Sequence, residues 1–251
     1  LETIQRLVFR GTNVNDRDAS GRTGLHIASG AGSVAIARFL LTEGCNADVK
    51  DIEGLTAVDV AAQSGHLDVV QELISRGSSV DNVSVNGRTI LHLAASVSGV
   101  DGAGVLEYLL LQQHVNINAA DSEGCTPLHR AVCTDSFASI ALLLAADGVQ
   151  VDARDHNGAT PLMVAVECGH TDITVQLVEA GADVNVQNIT GESPVFKASA
   201  LENADLVRLL LQHGARVDVS THDGETPLTV ATSENIRSML QLYHNSQQYN
   251  D

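Results

Sequence analysis

Apolar residues recur along this chain in two alternating helical patterns. A phrase close to Gly-x-Thr-x-Leu-x-x-Ala returns seven times, opening at Gly21, Gly54, Gly87, Gly124, Gly158, Gly191 and Gly224. Within it Leu25, Val58, Leu91, Leu128, Leu162, Val195 and Leu228 stand three residues ahead of Ala28, Ala61, Ala94, Ala131, Ala165, Ala198 and Ala231. That spacing places each pair on one face of a helix, and the constant small Ala predicts close approach of neighbouring helices. The Thr or Ser before each helix can accept a free amide of the first turn, as a good N-cap does. The four prolines of the chain, Pro127, Pro161, Pro194 and Pro227, all fall one residue later, at N1, where no donor is needed. A second amphipathic stretch follows, visible in Ile36, Phe39 and Leu40, in Val69 and Leu73, in Ile173 and Leu177, and in Leu206 and Leu210. It ends at Gly11, Gly44, Gly77, Gly148, Gly181 and Gly214, where a positive φ is expected. His114 holds that slot in one repeat and leaves the helix end there undefined. Asp-x-x-Gly segments at Asp51 and Asp155 predict hairpin tips between the units.

A unit this small cannot bury its own apolar face, so the units must stack. The phrase resembles the Gly-x-Thr-Pro-Leu-His-x-Ala signature of the ankyrin repeat family, over nearly the whole chain. The resemblance implies an all-α repeat solenoid with short β-hairpins, each repeat a hairpin and two antiparallel helices. On this reading residues 1–20 are the second helix and hairpin of a truncated repeat, with Leu7 and Val8 on its stripe, cut from a longer array. Six repeats follow at 21–53, 54–86, 87–123, 124–157, 158–190 and 191–223. Residues 224–251 form a shortened capping repeat and tail, frayed after about His244, and the whole is one elongated domain. Extra residues within 96–104 read as a tolerated surface loop, with a partner contact as the alternative.

Composition narrows the chemistry. Aromatic residues are 3% of the chain and Trp is absent, which suits thin, repeated layers. Net charge is −17, from 31 acidic and 14 basic residues. That argues against nucleic-acid binding and against docking on an anionic membrane, and favours partners with basic surfaces. Cys45, Cys125, Cys133 and Cys168 form no CxxC pair and no zinc spacing, so reduced thiols and a cytoplasmic setting, with nuclear possible, are expected. No stretch approaches the roughly 18 apolar residues of a membrane span, and no signal peptide is present. No metal, no cofactor and no catalytic activity are expected. His26, His92 and His129 take the family's structural histidine slot, which implies a bond to Thr or backbone. His66 and His170 sit in the turn between helices. Sequons at Asn82 and Asn188 read as chance. Asn185, with Leu177 eight residues before it and Val184 directly before, resembles the ankyrin sites modified by asparaginyl hydroxylases of the hypoxia pathway.

In the ankyrin family the concave face is made by hairpin tips and first helices. Carried over by repeat phase, the site comprises Arg22, Lys50, Ile52, Glu53, Val85, Arg88, Glu123, Arg130, Arg154, His156, Ile189, Glu192, Lys197 and His222. Leu55, Cys125 and Ala159 occupy the same tips. The expected partner is a protein or peptide bound by a monomer, as in a scaffold or adaptor. The alternative is a substrate-recruiting or autoinhibitory domain of a larger multidomain enzyme. The basic residues named here predict a mixed front. Asp68, Glu72, Glu107, Asp172, Glu179 and Asp205 predict an acidic back. Charge reversal at Arg88 and Arg154 is then expected to weaken binding without loss of stability.

Overall fold

The computed structural model describes residues 1–112 and 115–248; the expectation at His114 lies outside them. Two rows of helices run side by side among the described residues. The inner row is α2 Gly24–Gly30, α4 Ala57–Gln63, α6 Ile90–Ala95, α8 Pro127–Cys133, α10 Pro161–Cys168, α12 Pro194–Ala200 and α14 Pro227–Val230. The outer row is α1 Glu2–Phe9, α3 Val34–Thr42, α5 Leu67–Ser75, α7 Val100–Leu110, α9 Phe137–Ala145, α11 Thr171–Glu179, α13 Ala204–Gln212 and α15 Glu234–Gln248. From α2 and α3 onward each helix packs on the next of its own row, and within a repeat the two rows pack on each other.

The repeated phrase fixes the inner row. Thr23, Thr56, Thr89, Thr126, Thr160, Ser193 and Thr226 are the N-caps, in extended backbone. All seven alanines of the phrase are buried, as the close approach of the helices requires. The core is one continuous cluster of Leu, Val, Ile and Ala from Leu25 to Leu240. Burying each apolar face at about 25 cal/mol per Å² is what the stacking supplies, since a lone repeat would leave half of it wet.

The histidines of the phrase stitch repeats together. The Thr126 amide (3.1 Å) and hydroxyl (2.9 Å) donate to His129 Nδ1, and Nε2 donates to the Ala159 carbonyl of the next repeat at 3.2 Å. His26 and His92 do the same toward Leu55 and Cys125. His66 Nε2 reaches back to Gly30 O at 3.0 Å. Asp59 replaces the histidine in the second repeat. It accepts the two Thr56 bonds, and Asn82 bridges from Asp59 to Gly54 O. Asn82 is therefore a buried stitch, and its sequon is no surface acceptor.

Four expectations change. The hairpins are tight turns, with one isolated bridge, Val83 to Thr89, among the described residues. On α1 it is Ile4 that packs against the core, Val8 is half-buried, and Leu7 is half exposed. The 96–104 segment is mostly not a loop. It shortens α6 and adds a turn to the front of α7, which runs eleven residues. There Gly102 is buried so tightly that a Cβ would strike the Val97 carbonyl. Finally, α15 continues past His244 to Gln248, so the helical backbone runs beyond the expected end. The shortened linker before it is held by Glu202, whose carboxylate accepts from Thr232 Oγ1 at 2.9 Å and Ser233 N at 3.1 Å.

Candidate partner-binding surface

Each hairpin tip closes on itself and then hydrogen-bonds to the next. Asp51 N donates to Leu55 O at 2.9 Å and Gly54 N to Asp51 O at 3.1 Å. The Asp51 carboxylate accepts from Glu53 N and Leu55 N, both 2.9 Å. Asp18, Asp121, Asp155 and Asn188 play the same part in their own tips. Ile52, Val85, Ser122, His156, Ile189 and His222 each donate a backbone N–H to the tip before, at 2.9–3.0 Å. A ladder of backbone bonds thus runs along the front edge of the stack. It explains the glycine in each tip: at Gly124 φ is +79°, and a Cβ would meet His156 N at 2.6 Å.

This ladder places the predicted residues. Ile52, Val85 and Ile189 are 68%, 73% and 60% exposed, at one register of their tips, with the tips of Ser122 and His156 standing between the last two. His156 and His222 fill the same position, exposed, with ring edges over Gly124 and Gly191. Glu53, Glu123, Lys50 and Arg154 are exposed beside them. Arg22 is exposed as well, and Arg88, Arg130, Glu192 and Lys197 are half-buried. Leu55, Cys125 and Ala159, which follow the tip glycines Gly54, Gly124 and Gly158, are buried in the stack.

The charges are mostly spent within the molecule. Asp121, with a fully buried side chain, receives Arg130 at 2.5 Å and Arg88 at 3.9 Å, and Arg130 also meets Glu123 at 2.8 Å. Despite the opposing cost of burial, hydrogen bonds from Arg130 and from the Glu123 and Cys125 amides hold the Asp121 carboxyl below its usual range. Arg22 pairs with Asp18 at 2.8 Å, and Lys197 with Glu192 at 3.3 Å and Glu167 at 3.6 Å. Arg154 donates to the Gln187 carbonyl at 2.9 Å. Among the described residues Lys50 makes no ion pair. The sequence missed Asp121 as the organiser of Arg88 and Arg130; its signal was the tip aspartate that Asp121 shares with Asp18, Asp51 and Asp155. Reversing Arg88 would set two carboxylates together, so stability would fall. The clean pair for a charge test is Lys50 and Arg154.

Asn185 lies in a second stitch. Its carboxamide donates to Gly214 O at 3.1 Å and accepts from Arg216 N at 2.8 Å in the next repeat. The back is also less uniform than its carboxylates suggest. Glu72 is clamped by Arg38 (2.8 Å) and Arg76 (3.0 Å), and Asp205 faces Arg208 at 3.1 Å. Among the described residues no three His, Cys, Asp or Glu side chains converge as a metal site would need. Among the described residues no helix is long and apolar enough to cross a membrane. All four cysteines are free thiols, two buried and two exposed, and burial raises the pKa of each.

The chain matches the family described as "Ankyrin repeats (3 copies)" over residues 1–84, 91–188 and 162–251. Among solved structures, the ankyrin repeat domain of Bcl-3, a member of the IkappaB protein family, is similar with a TM-score of 0.77. It shares 30% identity and covers 88% of this chain and 99% of that one. The human ASB11 ankyrin repeat domain is similar with a TM-score of 0.74, at 25% identity over 88% of this chain and 98% of that one. No curated protein sequence matches.

Proposed function

Because the chain belongs to the ankyrin repeat family, whose domains are generally protein–protein interaction modules, we propose that it binds a partner protein across the tip edge and inner helices. One observation carries this reading: exposed Ile52, Val85 and Ile189 stand in register on tips tied by backbone bonds. Apolar anchors usually dominate interface energy, and an edge already rigid loses little entropy on binding. The tips hold few unspent charges, so apolar anchors carry affinity, while Lys50 and Arg154 steer approach.

The test is quantitative affinity capture with the native chain and with the triple variant Ile52→Glu, Val85→Glu, Ile189→Glu, after circular dichroism shows equal melting. Partners of this edge drop about tenfold or more in the variant. An unchanged set of captured proteins rejects the edge as the site. Asn185 is kept as a candidate for hydroxylation. Its carboxamide joins two repeats, so a modifying enzyme must first open that junction. Peptide mapping of native material that shows no added oxygen at Asn185 removes it.

A further inference from the structure

The outer row carries a second surface. Every outer helix except α9 contains at least one Asp, Glu, Lys or Arg, whereas Phe137–Ala145 reads FASIALLLA, with no charge at all. Its one polar side chain, Ser139, is buried. What α9 turns to solvent is therefore apolar: Phe137 is 54% exposed, Ala138, Ala141 and Ala145 are exposed, and Leu142 is half-buried. The neighbouring α7 ends at Leu110, and the next residue, Leu111, is 79% exposed. Between the two helices runs a groove of about 470 Å³, floored by Leu110, Leu111, Leu142 and Ala145 and edged by Glu107 and Asp147.

We propose that the groove between α7 and α9 is a second docking site, separate from the tip edge, for a partner segment that presents large apolar side chains flanked by Lys or Arg. Contiguous exposed apolar surface in a soluble fold marks an interaction site. The charge pattern selects the occupant. Both edges of the groove are acidic and the chain carries −17, so a basic-flanked segment gains from both. A second copy of the chain would bring another −17 against the same edges, and the partner is therefore a different protein.

The probe is a short fluorescein-labelled peptide with leucines at helical spacing and lysine elsewhere. Two peptides serve as controls, one with glutamate for lysine and one with serine for leucine. Binding is read by anisotropy and placed by hydrogen exchange on the full chain. The expected result is protection confined to α7 and α9, and binding at least about tenfold weaker for either control. The variant Leu111→Lys, Ala145→Lys repels the probe and loses at least as much, with unchanged melting because both positions are exposed. The tip triple variant binds the probe normally, so this site and the tip edge fail independently. Protection elsewhere, equal binding of the glutamate peptide, or an unaffected variant would overturn the proposal. So would a self-associating native chain that becomes monomeric in the variant, since a second copy would then be the occupant.

Discussion

Two junctions in the stack perform one task with different side chains. Between the fourth and fifth repeats, His129 caps its own helix through Nδ1 and crosses to the next repeat through Nε2. In the second repeat, Asp59 caps the helix equally well but is too short to reach the third, and Asn82, in the loop that leads there, ties the carboxylate instead at 2.5 Å. The imidazole has one acceptor and one donor, and both are used. The carboxylate has only acceptors, so Asp59 Oδ1 and Asn82 Oδ1 are left buried without a partner. Unpartnered buried acceptors cost stability. The comparison shows that a repeat array tolerates a substituted stitch when a neighbouring loop supplies the missing donor, and that the substitute is the weaker joint.

Removing each stitch gives the largest expected difference. His129→Ala leaves the Thr126 amide buried and unmet, takes from the Ala159 carbonyl the second of its two donors (Asp155 N remains) and opens a cavity, so it should cost about 3 kcal/mol. Asp59→Ala removes a charge that burial already penalises, and should cost about 1 kcal/mol. Urea denaturation of the two variants checks this. Equal costs would mean that the carboxylate stitches as firmly as the imidazole. Asp59→Asn sharpens the point. An amide at this position can keep the Thr56 bonds and donate to Asn82 Oδ1, so the variant should gain about 1 kcal/mol at neutral pH.

The two joints also titrate in opposite senses. Burial lowers the pKa of His92 and His129 below the usual 6.5, because imidazolium is penalised there. Their contribution is whole above pH 6.5 and is lost as pH falls through the folded pKa. Burial raises the pKa of Asp59 above the usual 3.8. Its contribution is whole below pH 3.8 and is lost as pH rises through the folded pKa. The advantage of Asp59→Asn over the native chain should therefore grow as pH rises from below 3.8. The deficit of His129→Asn should shrink as pH falls below 6.5. Melting curves of both variants and the native chain, taken across the pH range, test the two signs separately. A pH-independent gap in either variant would assign its residue no linkage.

Much of this was legible in the sequence, because the phrase repeats and each position has one physical task. The caps, the N1 prolines, the buried alanines and the positive-φ glycines at the helix ends all follow from single residues read in phase. The state of the front charges was not legible. Arg88, Arg130 and Lys197 look free in sequence, and only the stack shows that Asp121, Glu123, Glu167 and Glu192 stand against them. Ion pairs between turns and helices depend on where the tips lie, which the repeat period alone does not state. The uncharged face of α9 was readable as letters. Its meaning needed the neighbouring Leu111 and the acidic edges, which come together only in the fold. The 96–104 insertion misled for a related reason. Extra residues predict a loop, whereas a helix that already points outward lengthens at little cost.

The same contrast between a shared solution and a substitute occurs, on a smaller scale, in the turns between the helix rows. Gly32, Gly65 and Gly169 hold φ at +66° to +75°, but Asp135 and Glu202 hold the same place at +54° and +56°. A side chain in the left-handed region carries strain of about 1–2 kcal/mol, so each should be replaceable by glycine with a gain. Only Asp135 should behave so. Its side chain is 68% exposed and its approach to His170 is a 3.8 Å surface contact, worth little. After the entropy that glycine adds to the unfolded chain, Asp135→Gly should gain about 0.5 kcal/mol. Glu202 bears the same strain for a reason: its carboxylate holds Thr232 and Ser233 and so seats the last repeat. Glu202→Gly should therefore lose stability, with faster amide exchange concentrated in α14 and α15. If instead both variants gain alike, Glu202 is merely strained, and the shortened linker stands without it.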